Sequence, residues 1–300
     1  MTDDFFPPLA PSDARQRFLL RDEQWDQRFK PGFDQFIVST IEYARPIIKL
    51  PVPAGRTDNY GFFFVTGGTM QLSVGHQHFS ITANQFVIVP AQHIFSISQI
   101  SADATGYLCF FSQQVRNGAI LSSYELLNWT DQPLIQLSDD QTRFVAALYD
   151  RLLIEYAEGG ASRTDIIYPY LRAVVAEVNR AYPARPAPDR SSSEWLVTSF
   201  QDLLRLNAQR EGRVSQYATW LNVSPNHLNK VLKARTGKSP SVWIDERQVL
   251  EAKVLLYQTS LSIGQIAEQL RFSDQAAFGK LFRKVAGMSP SVFRRMIDSA

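Results

Sequence analysis

The sequence predicts an α+β chain of two domains: a small N-terminal β-barrel or sandwich with two following helices, then an all-α domain of seven helices. Three observations carry this. At 300 residues the chain is twice the ~150 that one ordinary domain occupies. Residues 33–112 alternate short β-branched or aromatic runs with turn residues at intervals of roughly ten, the signature of a small barrel or sandwich. From residue 194 onward, helix start and stop signals recur at helical spacing, and the pattern repeats.

Composition narrows the class. Hydrophobic residues make up 45% and charged residues 20%, as in a folded globular chain. The single cysteine, Cys109, excludes a disulfide scaffold and any multi-thiolate metal site; within an apolar strand it reads as core. The start, Met1-Thr2-Asp3-Asp4, is acidic and lacks the positive region of a secretory signal. No apolar run approaches the ~18 residues of a membrane span, so no membrane partner and a cytoplasmic location are expected. The net charge of +2 hides an asymmetry: residues 195–300 carry 15 basic and 8 acidic side chains, whereas residues 1–194 carry 16 and 21. A basic final third points to a polyanion-binding domain.

The strand runs are Phe62–Val65, Met70–Val74, His78–Ile81, Phe86–Val89 and Tyr107–Phe111, separated by turn signals at Gly67-Gly68, Gly75, Asn84 and Pro90. Two helical patterns follow. Asp139 and Asp140 can cap a helix with Phe144, Leu148, Leu152 and Tyr156 on one face, stopped by Gly159-Gly160. A second helix places Ile167, Leu171, Val174 and Val178 along one stripe. The pair either packs on the barrel or forms a dimer seam. Residues 183–193, with three prolines and three serines, read as a linker. The predicted organisation is therefore a poorly structured arm (1–22), a barrel domain (23–182), the linker (183–193) and the helical domain (194–300).

In the helical domain Ser-Pro occurs at Ser224-Pro225, Ser239-Pro240 and Ser289-Pro290, each before a helical pattern. Serine accepts from free N–H groups of the first turn, and proline at the first helical position loses no needed donor. Ser262 to Gln265 is a capping box, and Gly237 and Gly287 stand where helices should end in a left-handed residue. Seven helices are predicted, near 194–209, 215–221, 224–235, 240–259, 262–270, 273–285 and 290–297. Leu228 to Trp243 lies over Phe278 to Phe293 at an offset of 50, and Ala218 and Leu221 lie over Ala267 and Leu270 at 49. Each copy reads as a short helix, a three-residue turn and a second helix, the helix-turn-helix layout. The turn residue is Asn222 in the first copy and Arg271 in the second.

Arg247, Ala252, Leu255-Leu256, Ile263, Ile266-Ala267, Phe272-Ser273-Asp274, Phe278, Phe282-Arg283-Lys284 and Gly287-Met-Ser-Pro290 resemble, in order over about 100 residues, the signature of the AraC/XylS family of bacterial transcription regulators. Two positions depart from it: Arg271, where the family usually has glycine, and Gly279, inside the second recognition helix. Within those helices Leu228, Val231 and Leu232, then Phe278, Leu281 and Phe282, are the inward residues. The outward set is Asn226, His227, Asn229, Lys230 and Lys233, then Gln275, Ala276, Gly279, Lys280 and Arg283. The resemblance puts Asn226, Asn229, Lys230, Gln275, Ala276, Gly279 and Lys280 at base edges. Asn and Gln can bond adenine bidentately and Lys can reach guanine. Lys233, Arg283, Lys284 and the helix starts at Ser224 and Ser273 suit phosphates. Double-stranded DNA is the expected partner, read at two successive major grooves about 10 bp apart.

The resemblance also implies a cupin-like barrel used as an effector sensor, a homodimer, and RNA polymerase as a further partner. Phe86 to His93 looks like the second half of a cupin motif. His76-Gln-His78 with His93 offers three metal ligands on paper, but Thr82 and Ala83 stand where a cupin enzyme needs Glu. No nucleophile–base set or phosphate loop stands out, and Glu42 and Asp58 are isolated. The expectation is no enzyme, no metal and no cofactor; a metal-dependent cupin enzyme fused to a DNA-binding domain is the alternative. Candidate effector-pocket residues are Tyr60, Phe62, Phe64, His78, His93, Phe95 and Tyr107, suited to a sugar or small aromatic compound. A strand parity shifted by one would exchange that set.

Overall fold

A computed structural model of the chain describes residues 11–21, 29–127, 133–182, 192–209 and 211–298. The chain divides into two compact units, Met1–Pro183 and Ala184–Ala300. Among the described residues no helix is long and apolar enough to cross a membrane.

The first unit has three layers. Strands β1 (Phe36–Thr40), β8 (Thr105–Phe111), β3 (Tyr60–Gly67), β6 (Gln85–Val89) and β9 (Leu134–Gln136) form one antiparallel sheet in that order. Strands β2 (Val52–Arg56), β7 (Ile94–Ile100), β4 (Met70–Val74) and β5 (Gln77–Ile81) form the second. The two sheets face one another without closing into a continuous barrel. The five predicted runs are β3, β4, β5, β6 and β8. Strands β1, β2, β7 and β9 were not resolved within the strand-like stretch or, for β9, lay beyond it. Short helices α1 (Pro11–Phe18), α2 (Ile41–Ala44) and α3 (Gln113–Gly118) precede two long ones, α4 (Asp139–Gly159) and α5 (Thr164–Ala181), which cover the outer face of the five-stranded sheet.

The central sheet is buried on both faces, and this corrects the parity of the expected pocket. Phe62, Phe64, Phe86 and Phe111 pack toward Tyr149, Leu152 and Leu171 of the helices. Phe63, Val65, Val87 and Leu108 pack toward Met70, Leu72, Phe95 and Ile97 of the other sheet. When Phe62-Phe63-Phe64-Val65 is buried throughout, no polar–apolar alternation marks which face is which.

Two further expectations change. Helix α4 is capped by Ser138, in a capping box with Gln141, rather than by Asp139 or Asp140. Its buried stripe is Val145, Tyr149, Leu152, Glu155 and Tyr156, whereas Phe144 is 67% exposed and Leu148 only partly buried. The helix stops at Gly159-Gly160, and Ile167, Leu171, Val174 and Val178 of α5 are all buried, in line with the sequence. The second is the arm. Its described part, residues 11–21, is ordered: α1 runs to Phe18, Leu20 N–H donates to the Ile47 carbonyl (2.6 Å), and Lys49 N–H donates to the Phe18 carbonyl (2.8 Å). Residues 1–10 and 22, and residues 183–191 of the expected linker, lie outside the described residues.

The second unit consists of α6 (Ser193–Asn207), α7 (Val214–Trp220), α8 (Pro225–Thr236), α9 (Pro240–Gln258), α10 (Ile263–Gln269), α11 (Gln275–Ala286) and α12 (Pro290–Asp298). Each predicted helix is present within two residues at either end. The linker ends slightly early, because Ser192 caps α6 and Ser193 is already helical. The repeat is structural: α7 and α10 have 7 residues each, α8 and α11 have 12.

Candidate nucleic-acid interface and effector cavity

In each helix-turn-helix unit the first helix ends in a left-handed residue, Asn222 (φ 54°) and Arg271 (φ 59°). The flanking hydrogen bonds match: Val223 N–H donates to the Ala218 carbonyl (3.0 Å) and Phe272 N–H to the Ala267 carbonyl (2.9 Å). This is the six-to-one bond of a Schellman ending. The turns then differ by one residue. The first passes through 221–224 and the second through 270–274. Ser224 caps α8 by accepting from His227 N–H (3.1 Å). In the second unit the extra residue moves the cap from Ser273 to Asp274, which accepts from Ala277 N–H (2.7 Å). That bond holds the Asp274 carboxyl below its usual range. Ser273 is thereby displaced from the helix start and donates to Asp274 (3.2 Å). Gly237 and Gly287 end α8 and α11 at φ 74° and 75°. Ser239 makes no cap bond; its hydroxyl pairs with Ser241 instead (2.9 Å).

The recognition helices present the expected faces. Leu228, Leu232, Phe278 and Phe282 are buried, and Val231 and Leu281 partly so. Asn226, His227, Asn229, Lys230, Lys233, Gln275, Ala276, Lys280 and Arg283 are exposed, and Gly279 is half-buried. Lys284 differs from the other basic residues, since its ammonium pairs with Asp245 of α9 (3.0 Å). It stiffens α11 against α9 as well as adding positive charge.

Helix α9 packs against both recognition helices and is buried around most of its circumference. Midway along α9 a buried i, i+4 ion pair joins Arg247 to Glu251 (2.6 Å); Gln209 Nε2, just past the end of α6, donates to the same carboxylate (2.7 Å), and Arg247 donates to the Arg205 carbonyl of α6 (3.4 Å). The sequence reading quoted Arg247 as a family position and missed Glu251; the i, i+4 spacing of opposite charges was the available signal. The second half meets an aromatic ladder, Phe272–Phe278–Phe282–Phe293, with centroids 5.3, 5.8 and 5.7 Å apart. Lys253 lies over the Phe293 ring (5.8 Å), where burial pushes its ammonium pKa down. Arg294 donates to the carbonyls of Leu256 and Leu261 (3.3 and 2.5 Å), satisfying the end of α9.

In the first unit a cavity of about 600 Å³ opens on the β1–β8–β3 face beneath α1. Phe18, Phe33, Phe63, Phe95, Phe110 and Tyr156 line it, with Thr57, Asn59, Arg15 and Lys30 as polar groups. Of the seven expected pocket residues only Phe95 lines it. Tyr60, Phe62, Phe64 and Tyr107 sit on the opposite face, where Tyr107 stacks on Tyr149 (4.9 Å) and donates to Asp150 (2.8 Å). His78 is exposed and pairs with Ser73 (2.7 Å); His93 is buried with Nδ1 3.1 Å from the Ala91 carbonyl. Arg15 lies over Phe29 and Phe33 (4.7 and 4.9 Å). Burial pushes the Tyr156 phenol up to about 12, so it enters the cavity as a neutral hydroxyl.

His76, His78 and His93 are not gathered. Among the described residues no group of three or more His, Cys, Asp or Glu side chains could hold a metal ion. Glu42 accepts from Gly106 N–H (3.3 Å) and Asp58 pairs with Gln92. Cys109 is fully buried and its thiol pKa is pushed up, which keeps it neutral and unreactive.

Residues 217–296 match the family described as a helix-turn-helix domain. The chain is 29% identical over 133 residues to the Msm operon regulatory protein of Streptococcus mutans, covering 44% of this chain and 47% of that protein. It is 31% identical over 81 residues to the arabinose operon regulatory protein of Escherichia coli, covering 27% and 28%. With the HTH-type transcriptional activator RhaS of Salmonella schwarzengrund it shares 25% over 189 residues, covering 54% and 68%. The first two matches span less than half the length of those relatives. Fold and match together define a tandem helix-turn-helix DNA-binding module. Over that module the chain is similar to the operon regulators named above.

Proposed function

We propose that the chain is a sequence-specific transcription regulator that binds double-stranded promoter DNA through α8 and α11 and answers to a small molecule held in the N-terminal cavity. The observation that carries this reading is the pair of recognition helices with polar, basic outer faces held on one stiff connector. Asn226, Asn229 and Lys230, with Gln275, Ala276, Gly279 and Lys280, meet base edges; Ser224, Lys233, Arg283 and Ser273 meet phosphates and sugars. Selection of duplex from a random-sequence pool tests it. The expected result is a site of two half-motifs about 10 bp apart. Enrichment of no motif rules the reading out.

The cavity walls favour an effector with an aliphatic or aromatic body over a sugar, because a sugar's hydroxyls would be left unpaired against phenylalanine. Arg15 and Lys30 favour an acidic group on that body. Melting curves with an alkyl carboxylate, an aromatic carboxylate and a neutral sugar test the choice: a carboxylate at about 100 times its Kd adds about 2.7 kcal/mol, while the sugar adds nothing. Phe144 and Ile154, 67% and 50% exposed on α4, suit the face of a homodimer. Phe144→Lys should shift the sedimentation of that dimer toward the monomer. RNA polymerase is the remaining proposed partner, and the cytoplasm the proposed location.

A further inference from the structure

The second helix-turn-helix unit breaks two local rules that the first obeys. At the left-handed end of its first helix it has Arg271 (φ 59°), where the first unit has Asn222. Asparagine tolerates that conformation, whereas a long side chain there is strained. Inside its recognition helix it has Gly279, where the first unit has Asn229. Glycine weakens a helix interior because it is the most mobile residue when unfolded.

Neither departure is explained by packing. A Cβ built at Gly279 meets nothing within 4 Å, so the fold has room for any small side chain there. Arg271 is exposed and makes no ion pair among the described residues. Their sequence neighbours Phe272 and Phe278 make a ring contact at 5.3 Å, which packs the turn against the recognition helix. Positions that give up stability with no internal return are expected where an external partner is met.

We infer that Arg271 is a further DNA contact, to a phosphate beside α11, and that Gly279 of the base-edge set acts there by close approach, not by a side-chain bond. Gly279 removes side-chain bulk so that the surface of α11 can lie directly against the DNA. Arg271, projecting from the turn before that helix, neutralises one phosphate at the same contact. The second unit thus docks by nearness and charge, where the first docks through Asn226 and Asn229. This rests on the reading of the C-terminal unit as a DNA binder.

The test uses the full chain and a duplex that the parent protein has selected from a random pool. Gly279→Ala and Gly279→Leu should each raise the melting temperature of the transition that includes the C-terminal unit by about 2–4 °C. Both should weaken binding, Leu at least about tenfold and Ala less. Arg271→Gly should also raise the melting temperature, yet lower affinity and reduce the slope of log K against log salt by about 0.9, the loss of one phosphate contact. Stabilised variants that bind with parental affinity and salt slope would overturn the inference while leaving DNA binding intact. A parent chain that selects no duplex would remove the reading on which it rests.

Discussion

The two helix-turn-helix units share helix lengths and a left-handed residue at the turn, but they differ in turn length, in the capping residue and in the contacts around them. The first packs an apolar cluster, Tyr217, Leu228 and Leu232 against Ile244 of α9, near a buried ion pair within α9, Arg247–Glu251, whose carboxylate accepts from Gln209, and its outer face carries amides and lysines. The second packs a ladder of four phenylalanines and is tied to α9 by the Lys284–Asp245 ion pair, and its outer face carries small residues and charge. A duplicated sequence can therefore keep one geometry while the polar and apolar contacts around it change. Ion pairs demand directional partners and penalise loss of either one heavily; ring ladders tolerate changes of shape more readily.

Breaking each anchor gives the largest expected effects. Glu251→Ala should destabilise the C-terminal unit by about 3–5 kcal/mol in a urea titration, because Arg247 stays buried without its carboxylate. The double change Arg247→Met with Glu251→Leu should restore most of that. Phe282→Ala should lose a similar amount, about 3–5 kcal/mol, whereas Phe282→Leu should lose much less. A ladder variant as damaging as the broken ion pair even when volume is conserved would erase the contrast.

Reading comes next in size. Asn226→Ala should relax the preference at one base pair by about 1–3 kcal/mol. Arg283→Ala should weaken binding across all sequences and lower the salt slope by about 0.9. Competition gel shifts with single-base variants of the selected site separate the two behaviours.

The caps give the smallest effects. Ser224→Ala should lose about 1 kcal/mol at any pH. The Asp274 cap behaves differently with acid. Its carboxyl is held below the usual 3.8, so its stabilising contribution is complete above that value and is lost as pH falls through the lowered one. Asp274→Asn should abolish that acid-dependent part, read as a flatter melting temperature between pH 5 and 2.5; Ser224→Ala should leave it unchanged.

How much of this was legible in the sequence follows from how local each signal is. Ser224-Pro225, the Ser262–Gln265 box and Gly287 act within one turn of chain, so the seven C-terminal helices could be placed closely and their outward residues chosen. The cap at Asp274 escaped because one inserted residue in the second turn shifts the cap without disturbing the helix behind it. In the barrel the deciding facts are not local. Phe62 and Phe63 are equally apolar, and only the helices α4 and α5 on one side and the second sheet on the other decide which of them meets the cavity. Phe144 and Val145 pose the same choice on α4. There the sequence picked the exposed member, and the true stripe includes Glu155, an acid kept inside by ion pairs with Arg151 and Arg163. Such a partner-dependent burial has no signature in the residue itself.

Helix α9 has one more consequence. It has 19 residues, so it is about 28 Å long, and side chains on nearly all its sides are locked by neighbours. A beam so embedded cannot bend or twist to re-space what is mounted on it. On the proposed function, the bound duplex would then carry its two half-motifs at one fixed distance. On the same reading, a ligand in the N-terminal cavity would change whether this module is offered to DNA, or how two such modules are arranged, but not the gauge of the module itself.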